Sequence, residues 1–443
     1  MQVVYRRCAG LDVHKQTVMA TVLVFDEDGS RQERTQQFGT YWKELQRLAQ
    51  WLRSSRVEQV VMESTGVYWK PVWNVLEKTL KLVLANPYQV KTIPTGKTDR
   101  RDSIWLADLL AHGLGRPSFV PPPEIRQLRD LTRYRVQLTR EHNRVRNRIE
   151  KVLEDANIKL DTVLSDLLGV SGRGMLQGML RGHQDDPGWL ADYAGGSLRG
   201  KREELELSLR GNAQAHHLYL LGELWDDLEF VERKIRRLDG ELTRCMEPYE
   251  AEINRLCTMP GVDVLTAWTL LAELGTDMSV FPDAVHAASW AGLCPGNRES
   301  AGKRLGSRAK KGNRWVRRAL CQSAWAVTRK RDCYLTAFFY RHAARQGEKK
   351  AIVATAHQLL VIAYHLLRDQ TDFRELGGNY YDRLRPQRTA NRLVRRLQRL
   401  GLDVVLTPAH PPDQPNTHLS TKPQRGRPCK CLERGIHCKH KQL

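Results

Sequence analysis

Two aspartates three residues apart, Asp99 and Asp102, open the segment GKTDRRDSIWLADLLAHG, which runs from Gly96 to Gly113. At that spacing on a helix both carboxylates lie on one face and can hold the same divalent cation. Lys97, Arg100 and Arg101 surround them, a mixture suited to a place where a metal ion and a polyanionic phosphate chain meet. The competing reading is structural: Thr98 caps the helix, the acids complement its dipole, and the arginines form salt bridges on a solvated face. Two more acids stand out. Asp12 interrupts the apolar run CAGLDV, and Glu63 ends VEQVVME. A carboxylate inside a strand is costly unless paired or metal-bound, although either acid could simply end its strand in a turn. Ser300, in RESAGK, is a fifth candidate. Its hydroxyl needs a base, a metal or a dense positive field to attack phosphorus, and otherwise it is a turn or cap residue. From Lys303 to Arg318 the chain offers such a field in eight basic residues and no acid: Lys303, Arg304, Arg308, Lys310, Lys311, Arg314, Arg317 and Arg318.

The elements that must carry these residues are legible in the apolar pattern. CAGLDV and TVMATVLVF read as adjacent strands around a turn at His14 to Gln16. A polar strand follows near Arg31 to Phe38, then an amphipathic helix from Trp42 to Leu52. VEQVVMEST is a fourth strand, Val67 to Leu80 a helix, LKLVLAN a fifth strand, and the Asp99 segment a closing helix. The order βββαβαβα, with the third strand polar, predicts a mixed α/β sheet with helices on its faces. Glu63 then falls at the C-terminal end of a strand, where open α/β sheets gather their ligand sites. Asp108 lies nine residues past Asp99 on the same helix, too far along to join the pair.

With 71 Lys plus Arg against 50 Asp plus Glu, the net charge is +21, which favours a nucleic-acid partner over an acidic small molecule. The nine cysteines show no disulfide-dense spacing and the start of the chain has no apolar signal core, so the expected setting is the cytosol. The run AIVATAHQLLVIAYHLL from Ala351 is interrupted by His357, Gln358 and His365 and reads as a buried helix, with no membrane partner.

The Pro121-Pro122-Pro123 run reads as a linker. Beyond it, Leu131, Leu138, Val145 and Val152 recur every seven residues on an arginine-rich helix. A Gly-rich, irregular stretch runs from Gly169 to Gly200. A second helix carries Leu221, Leu228, Ile235 and Leu242 in one register and Leu224, Val231, Leu238 and Cys245 in the other, which predicts a coiled coil within or between subunits, ended by Pro248. MPGVDVLTAWTLLAELG has a Pro-Gly turn before an apolar helix, a pattern of helix-hairpin-helix modules that contact phosphates. The expected parts are 1–124, the mixed-sheet domain and linker; 125–250, long helices; 251–385, a mostly helical domain with Ser300; and 386–443, a basic tail.

These motifs carry a resemblance. GLDVHK around Asp12, VVMESTGVYW around Glu63, and NPYQVK followed by KTDRRDSIWLADLLAHG resemble the RuvC-like, RNase H-fold domain with a DEDD tetrad found in IS110-family insertion-sequence transposases. The resemblance implies that Asp12, Glu63, Asp99 and Asp102 coordinate Mg²⁺ or Mn²⁺ for DNA strand chemistry. Leu256 to about Leu320 is similar to the C-terminal domain of the same family, and there Ser300 matches the serine that forms a covalent link with a DNA end. Where the family often has two serines before the glycines, this chain has Glu299-Ser300-Ala301-Gly302, with Ser307 nearby. The resemblance further implies DNA partners (element ends and target), a homo-oligomer, and for some members a structured guide RNA from the element. Two other readings stay open: a metal-only, structure-selective nuclease in which Ser300 is structural, and a non-catalytic DNA-binding protein. In the tail, Arg425 and Arg427 of RGRP resemble an AT-hook core, and Cys429, Cys431, Cys438 and His440 offer a Zn²⁺ ligand set set against a disordered basic tail.

Overall fold

Alternation along the first strand decides the architecture of the N-terminal part. In β1 (Arg7–Val13), Ala9 and Leu11 point to one face of the sheet and Cys8, Gly10 and Asp12 to the other. β1 pairs antiparallel with β2 (Thr17–Phe25), and β2 with β3 (Arg31–Gly39). On its other side β1 runs parallel to β4 (Gln59–Glu63), which runs parallel to β5 (Lys81–Ala85), giving the order β3-β2-β1-β4-β5. The mixed sheet and its element order agree with the sequence reading. The computed structural model describes residues 2–28, 30–64, 66–85, 98–114, 117–296, 298–306, 309 and 311–407, and the chain divides into two units, Met1–Pro121 and Pro122–Leu443.

In the first unit, the helices Trp42–Ser54 and Trp69–Leu76 cover one face of the sheet with Leu45, Leu48, Leu52, Val72 and Leu76. The second helix is shorter than expected, because the Leu76 carbonyl already accepts from both Thr79 and Leu80 in a closing turn. The helix Asp99–Ala111 covers the other face with Leu106, Ala107 and Leu110. It lies unusually close to β1. A Cβ on Gly10 would meet the Ser103 carbonyl oxygen at 2.2 Å and the Ala107 nitrogen at 2.4 Å. Buried hydroxyls fix the helix along its axis, since Ser103 Oγ lies 2.8 Å from Thr21 Oγ1 and donates to the Arg100 carbonyl. Gly10→Ala is therefore expected to push this helix off the sheet. Overpacking of this kind costs about 1–3 kcal/mol, visible as a lower melting temperature, and divalent-cation affinity measured by calorimetry should fall with it.

The second unit is helical. Pro123–Asp155 and Ala215–Met246 pack against each other in opposite directions, joined by Arg135–Asp239 (2.6 Å), His142–Glu232 (3.1 Å) and His217–Asp155 (3.1 Å). Their buried positions depart from the strict heptads: Trp225 is buried in place of Leu224, and Ile149 and Leu153 flank Val152. A straight α-helix repeats every 3.6 residues, so the contact stripe drifts against a seven-residue pattern. The Gly-rich stretch expected to be irregular contains the short helices Val170–Gly178 and Pro187–Ala191, which with Arg202–Leu209 just after it close a core with Ile149, Leu160, Met175, Leu190, Leu205 and Leu228. Each is too short to show periodicity.

Further along come Glu250–Cys257, Val264–Leu274, Arg314–Val327, Tyr334–Gln346, Glu348–Asp369 and Pro386–Gln398. Glu348–Asp369 has the length and composition to cross a membrane, yet Ala351, Ile352, Leu359, Leu360, Ala363 and Leu367 are buried within the unit, as expected of a core helix. The segment around Ser300 is a hairpin: β6 (Arg298–Ser300) pairs with β7 (Lys303–Gly306), with Ser300 opposite Lys303. Its two-residue turn holds Ala301 at φ 48° and Gly302 at φ 73°. Both central residues of a type I′ turn need positive φ, which glycine adopts freely and alanine at a cost of about 1–2 kcal/mol.

Candidate functional site

The first unit brings four of the sequence candidates, Asp12, Glu63, Asp99 and Asp102, to one end of the sheet. β1 and β4 are parallel neighbours with Leu11 opposite Met62, so the next residues, Asp12 and Glu63, stand side by side at their C-terminal ends. Both belong to the face covered by Asp99–Ala111, since Gly10 is opposite Val61 and Val61 packs with Leu106. The N-terminus of that helix points its acids toward the same end. Thr98 caps it, its Oγ1 accepting from the Arg101 N–H at 3.3 Å, and Asp99 and Asp102 occupy the first turn. The structural reading of these acids is thus correct about the cap. It is incomplete, because Asp99 also reaches across to β1.

The link is His14, which the sequence reading passed over. His14 Nε2 lies 3.1 Å from Asp12 Oδ2 and 3.4 Å from Asp99 Oδ1. One ligand atom from each of Asp12, His14 and Asp99 falls within 4.8 Å of the others. A signal was present: in GLDVHK, His14 follows Asp12 by two residues, and alternate residues of extended chain share a face. The His14 N–H donates to the Thr17 carbonyl, which fixes it at the start of the β1–β2 turn.

Electrostatics here are those of an acidic cluster awaiting positive charge. Burial pushes the Asp12 carboxyl above its ordinary range, His14 pulls it back, and the carboxylates of Asp99 and Asp102 push it up again. Hard oxygen donors with one imidazole suit Mg²⁺ or Mn²⁺. A carboxyl held above its unfolded value contributes stability that is complete below the unfolded pKa and is lost as pH rises through the folded one. Burial and the neighbouring carboxylates thus set the charged form of Asp12 against the metal-free fold. Asp12→Asn is expected to raise the metal-free melting temperature by ~2–5 °C and to remove the further rise that Mg²⁺ or Mn²⁺ gives the wild type, both read in a thermal-shift titration.

The basic residues near the acids divide. Arg100 lies 3.5 Å from Glu33, Arg101 is exposed, and Lys97 lies outside the described residues. Asp108 pairs with Arg31 at 3.2 Å and serves the fold.

In the second unit the Ser300 hairpin leads into a helix start that is tightly held. Asn313 caps Arg314–Val327, its Oδ1 accepting from Trp315 (2.9 Å) and Val316 (3.2 Å), while its Nδ2 donates to Glu273 Oε2 at 2.6 Å. Glu273 is fully buried, at the end of the Val264–Leu274 helix, and binds Arg133 through both oxygens (2.6 and 2.9 Å) and Arg129 at 3.2 Å. Arg133, Arg140 and Arg314 lie over Trp315, 4.9 to 5.5 Å from its ring centre. Arg317 donates to the Gly292 carbonyl at 3.2 Å and so ties the helix to the turn before the hairpin. Arg318 has its Nη1 buried with no hydrogen-bond partner among the described residues, and burial and Arg140 both lower its pKa. An anion would relieve both. Lys311 and Arg314 are exposed. For Ser300, Lys303 and Arg304 the structure gives the strand positions. Arg308, Lys310, Arg425, Arg427 and the Cys429, Cys431, Cys438 and His440 set lie outside the described residues.

Two family models match separate parts of the chain. Residues 9–158 match the model of the DEDD-type IS110 transposases, and residues 253–340 match that of the transposase IS116/IS110/IS902 family. An uncharacterized 43.6 kDa protein of insertion element IS110 from Streptomyces coelicolor is 29% identical over 306 residues, which is 62% of this chain and 71% of that protein. A probable family 20 transposase of Pseudomonas aeruginosa is 33% identical over 111 residues, 25% of this chain and 32% of its own. The pilin gene-inverting protein of Moraxella bovis is 28% identical over 170 residues, 37% of this chain and 52% of its own. With an acidic site in the part matched by the first model and a serine-bearing hairpin in the part matched by the second, the chain belongs to the IS110 family of transposases.

Proposed function

We propose that this protein is a DNA recombinase of an insertion sequence that cuts and rejoins strands through a phosphoserine bond between Ser300 and a DNA end. The observation that carries the reading is the convergence of Asp12 and Asp99 from separate elements onto one point, beside Asp102 and Glu63, in the part of the chain matched by the DEDD family model. In this reading the first unit is RuvC-like, and Asp12, Glu63, Asp99 and Asp102 hold Mg²⁺ or Mn²⁺. When bound, the divalent cation supplies positive charge against the scissile phosphate oxygens. Ser300 Oγ forms a bond to phosphorus, the bridging P–O bond of the strand breaks, the serine proton is lost to solvent, and the departing DNA oxygen takes one up. The phosphodiester energy stays in the protein–DNA ester, so a free DNA hydroxyl can reverse the step and join a new strand.

The basic run after Ser300 binds the backbone and sets the field in which the hydroxyl reacts. A pilin gene-inverting relative supports recombination between DNA sites as the outcome. A homo-oligomer follows from the need to hold more than one duplex. The family resemblance alone supports a guide RNA from the element. We extend the same reading to the antiparallel pair of long helices as a coiled coil, to the Cys429, Cys431, Cys438 and His440 set as a Zn²⁺ clip, and to Arg425 and Arg427 as minor-groove contacts.

The test is cleavage of supercoiled DNA carrying the element's joined ends, with the flanking transcript present. Wild type with Mg²⁺ should nick it, and Asp99→Ala, or wild type with a chelator, should not. Undiminished cleavage by Asp99→Ala would remove the acids from the mechanism.

A further inference from the structure

The helices Tyr334–Gln346 and Pro386–Gln398 enclose a cleft of about 1290 Å³ whose lining includes eight arginines and, among the described residues, no acid. Arg388, Arg392, Arg395 and Arg399 follow one another at steps of four, three and four, which places them in a single row along the second helix. Arg341 and Arg345 line the same cleft from the first helix. Across this cleft like charges face each other with little to offset them. Arg392 meets Asp382 at 3.6 Å, and Arg341 lies over the Tyr381 ring at 4.7 Å. For the other lining arginines no carboxylate comes within ion-pairing distance among the described residues. Two facing rows of guanidinium groups repel unless an anion lies between them, and a row of this length calls for a chain of anions.

We propose that this cleft is a nucleic-acid-binding site of its own, in which the arginine rows grip the phosphate backbone of duplex DNA. The row from Arg388 to Arg399 covers eleven residues, about 16 Å of helix, which matches about five phosphates of one strand at 3.4 Å of axis each. Guanidinium groups suit phosphate oxygens because their planar donors bind two at once. An anionic membrane surface is the competing ligand, because Leu393 and Leu397 are exposed along the same helix and Leu400 just past its end; against it, the arginine row is met by Arg341 and Arg345 of a second helix across the cleft. The site adds a function to the strand chemistry and uses neither Ser300 nor the acids.

The test is equilibrium binding of the full chain to a fluorescent random-sequence duplex in the presence of a chelator, where no cleavage competes, over a series of salt concentrations. The quadruple variant Arg388→Ala, Arg392→Ala, Arg395→Ala, Arg399→Ala should bind on the order of 10²–10³-fold more weakly at about 0.1 M salt. Its plot of log affinity against log salt should be shallower by about 3–4. Alanine favours helix, so melting and circular dichroism should match wild type. The same four positions changed to lysine should recover most of the slope. An unchanged slope in the alanine variant would overturn the proposal. So would a loss confined to RNA hairpins or single strands, or a loss of binding to anionic lipid vesicles with duplex binding intact.

Discussion

Ser300→Ala is expected to abolish the covalent protein–DNA product and to lower strand joining by on the order of 10⁴-fold or more, as removal of a nucleophile does where no other group can replace it. The substitution removes one oxygen. β6 needs only the Ser300 backbone to pair with Lys303, and the positive-φ positions of the turn belong to Ala301 and Gly302, so the hairpin should persist. DNA affinity, which the basic residues carry, should be within about twofold of wild type, and so should the Mg²⁺-dependent thermal shift. The measurement is a denaturing gel of joined-end DNA after reaction, scored for protein-bound DNA and for rejoined strands. Cutting that survives Ser300→Ala would favour the metal-only nuclease, with water as the attacking group.

Glu273→Ala should be the most destabilising single change in the second unit. Glu273 is fully buried and is the shared acceptor of Arg129, Arg133 and Asn313. Burial already brings the Arg129 guanidinium down to about 10, and Glu273 is the first charge holding it up. Removing one partner of a buried pair leaves uncompensated charge and costs about 3–5 kcal/mol. For a unit of this size that is a fall of roughly 10 °C in melting temperature. The loss should extend to chemistry. Asn313 would keep its Oδ1 contacts to the helix start but lose the partner that orients its amide, so strand joining should fall in protein that remains folded. Glu273→Gln, with one acceptor oxygen retained, should be intermediate in both. A melting temperature within about 1 °C of wild type for Glu273→Ala would show that the network carries little of the stability.

The sheet was legible because its strands are buried on defined faces. CAGLDV and TVMATVLVF are near-continuous apolar runs, as strands covered by helices on both faces require, and the acid that breaks the first run marks the site. His14 was not, because its role depends on Asp99, 85 positions away along the chain, and sequence shows such a meeting only after the sheet order is known. Glu273 was hidden for a related reason: in LLAELG it reads as an ordinary helix acid, and its burial is decided by Arg129 and Arg133 on another helix. The hairpin at Ser300 escaped because its strands are three and four residues long and end in Ala-Gly, where the usual Asn-Gly signal of a type I′ turn is missing. The heptads found most of the buried stripe of the second long helix, Leu221, Leu228, Val231, Leu238 and Leu242, and failed where packing at a 3.6-residue repeat takes Trp225 in place of Leu224.

The most direct measurement is to identify the residue bonded to DNA. Wild-type protein is reacted with joined-end DNA and Mg²⁺, denatured, digested with nuclease and trypsin, and analysed by mass spectrometry. Cleavage after Arg298 and Lys303 releases Glu299-Ser300-Ala301-Gly302-Lys303, in which Ser300 carries the only hydroxyl. The account predicts this peptide with the added mass of a nucleotide phosphate. A nucleotide on any other residue, Ser307 included, or strand cleavage with no modified peptide at all, would contradict it.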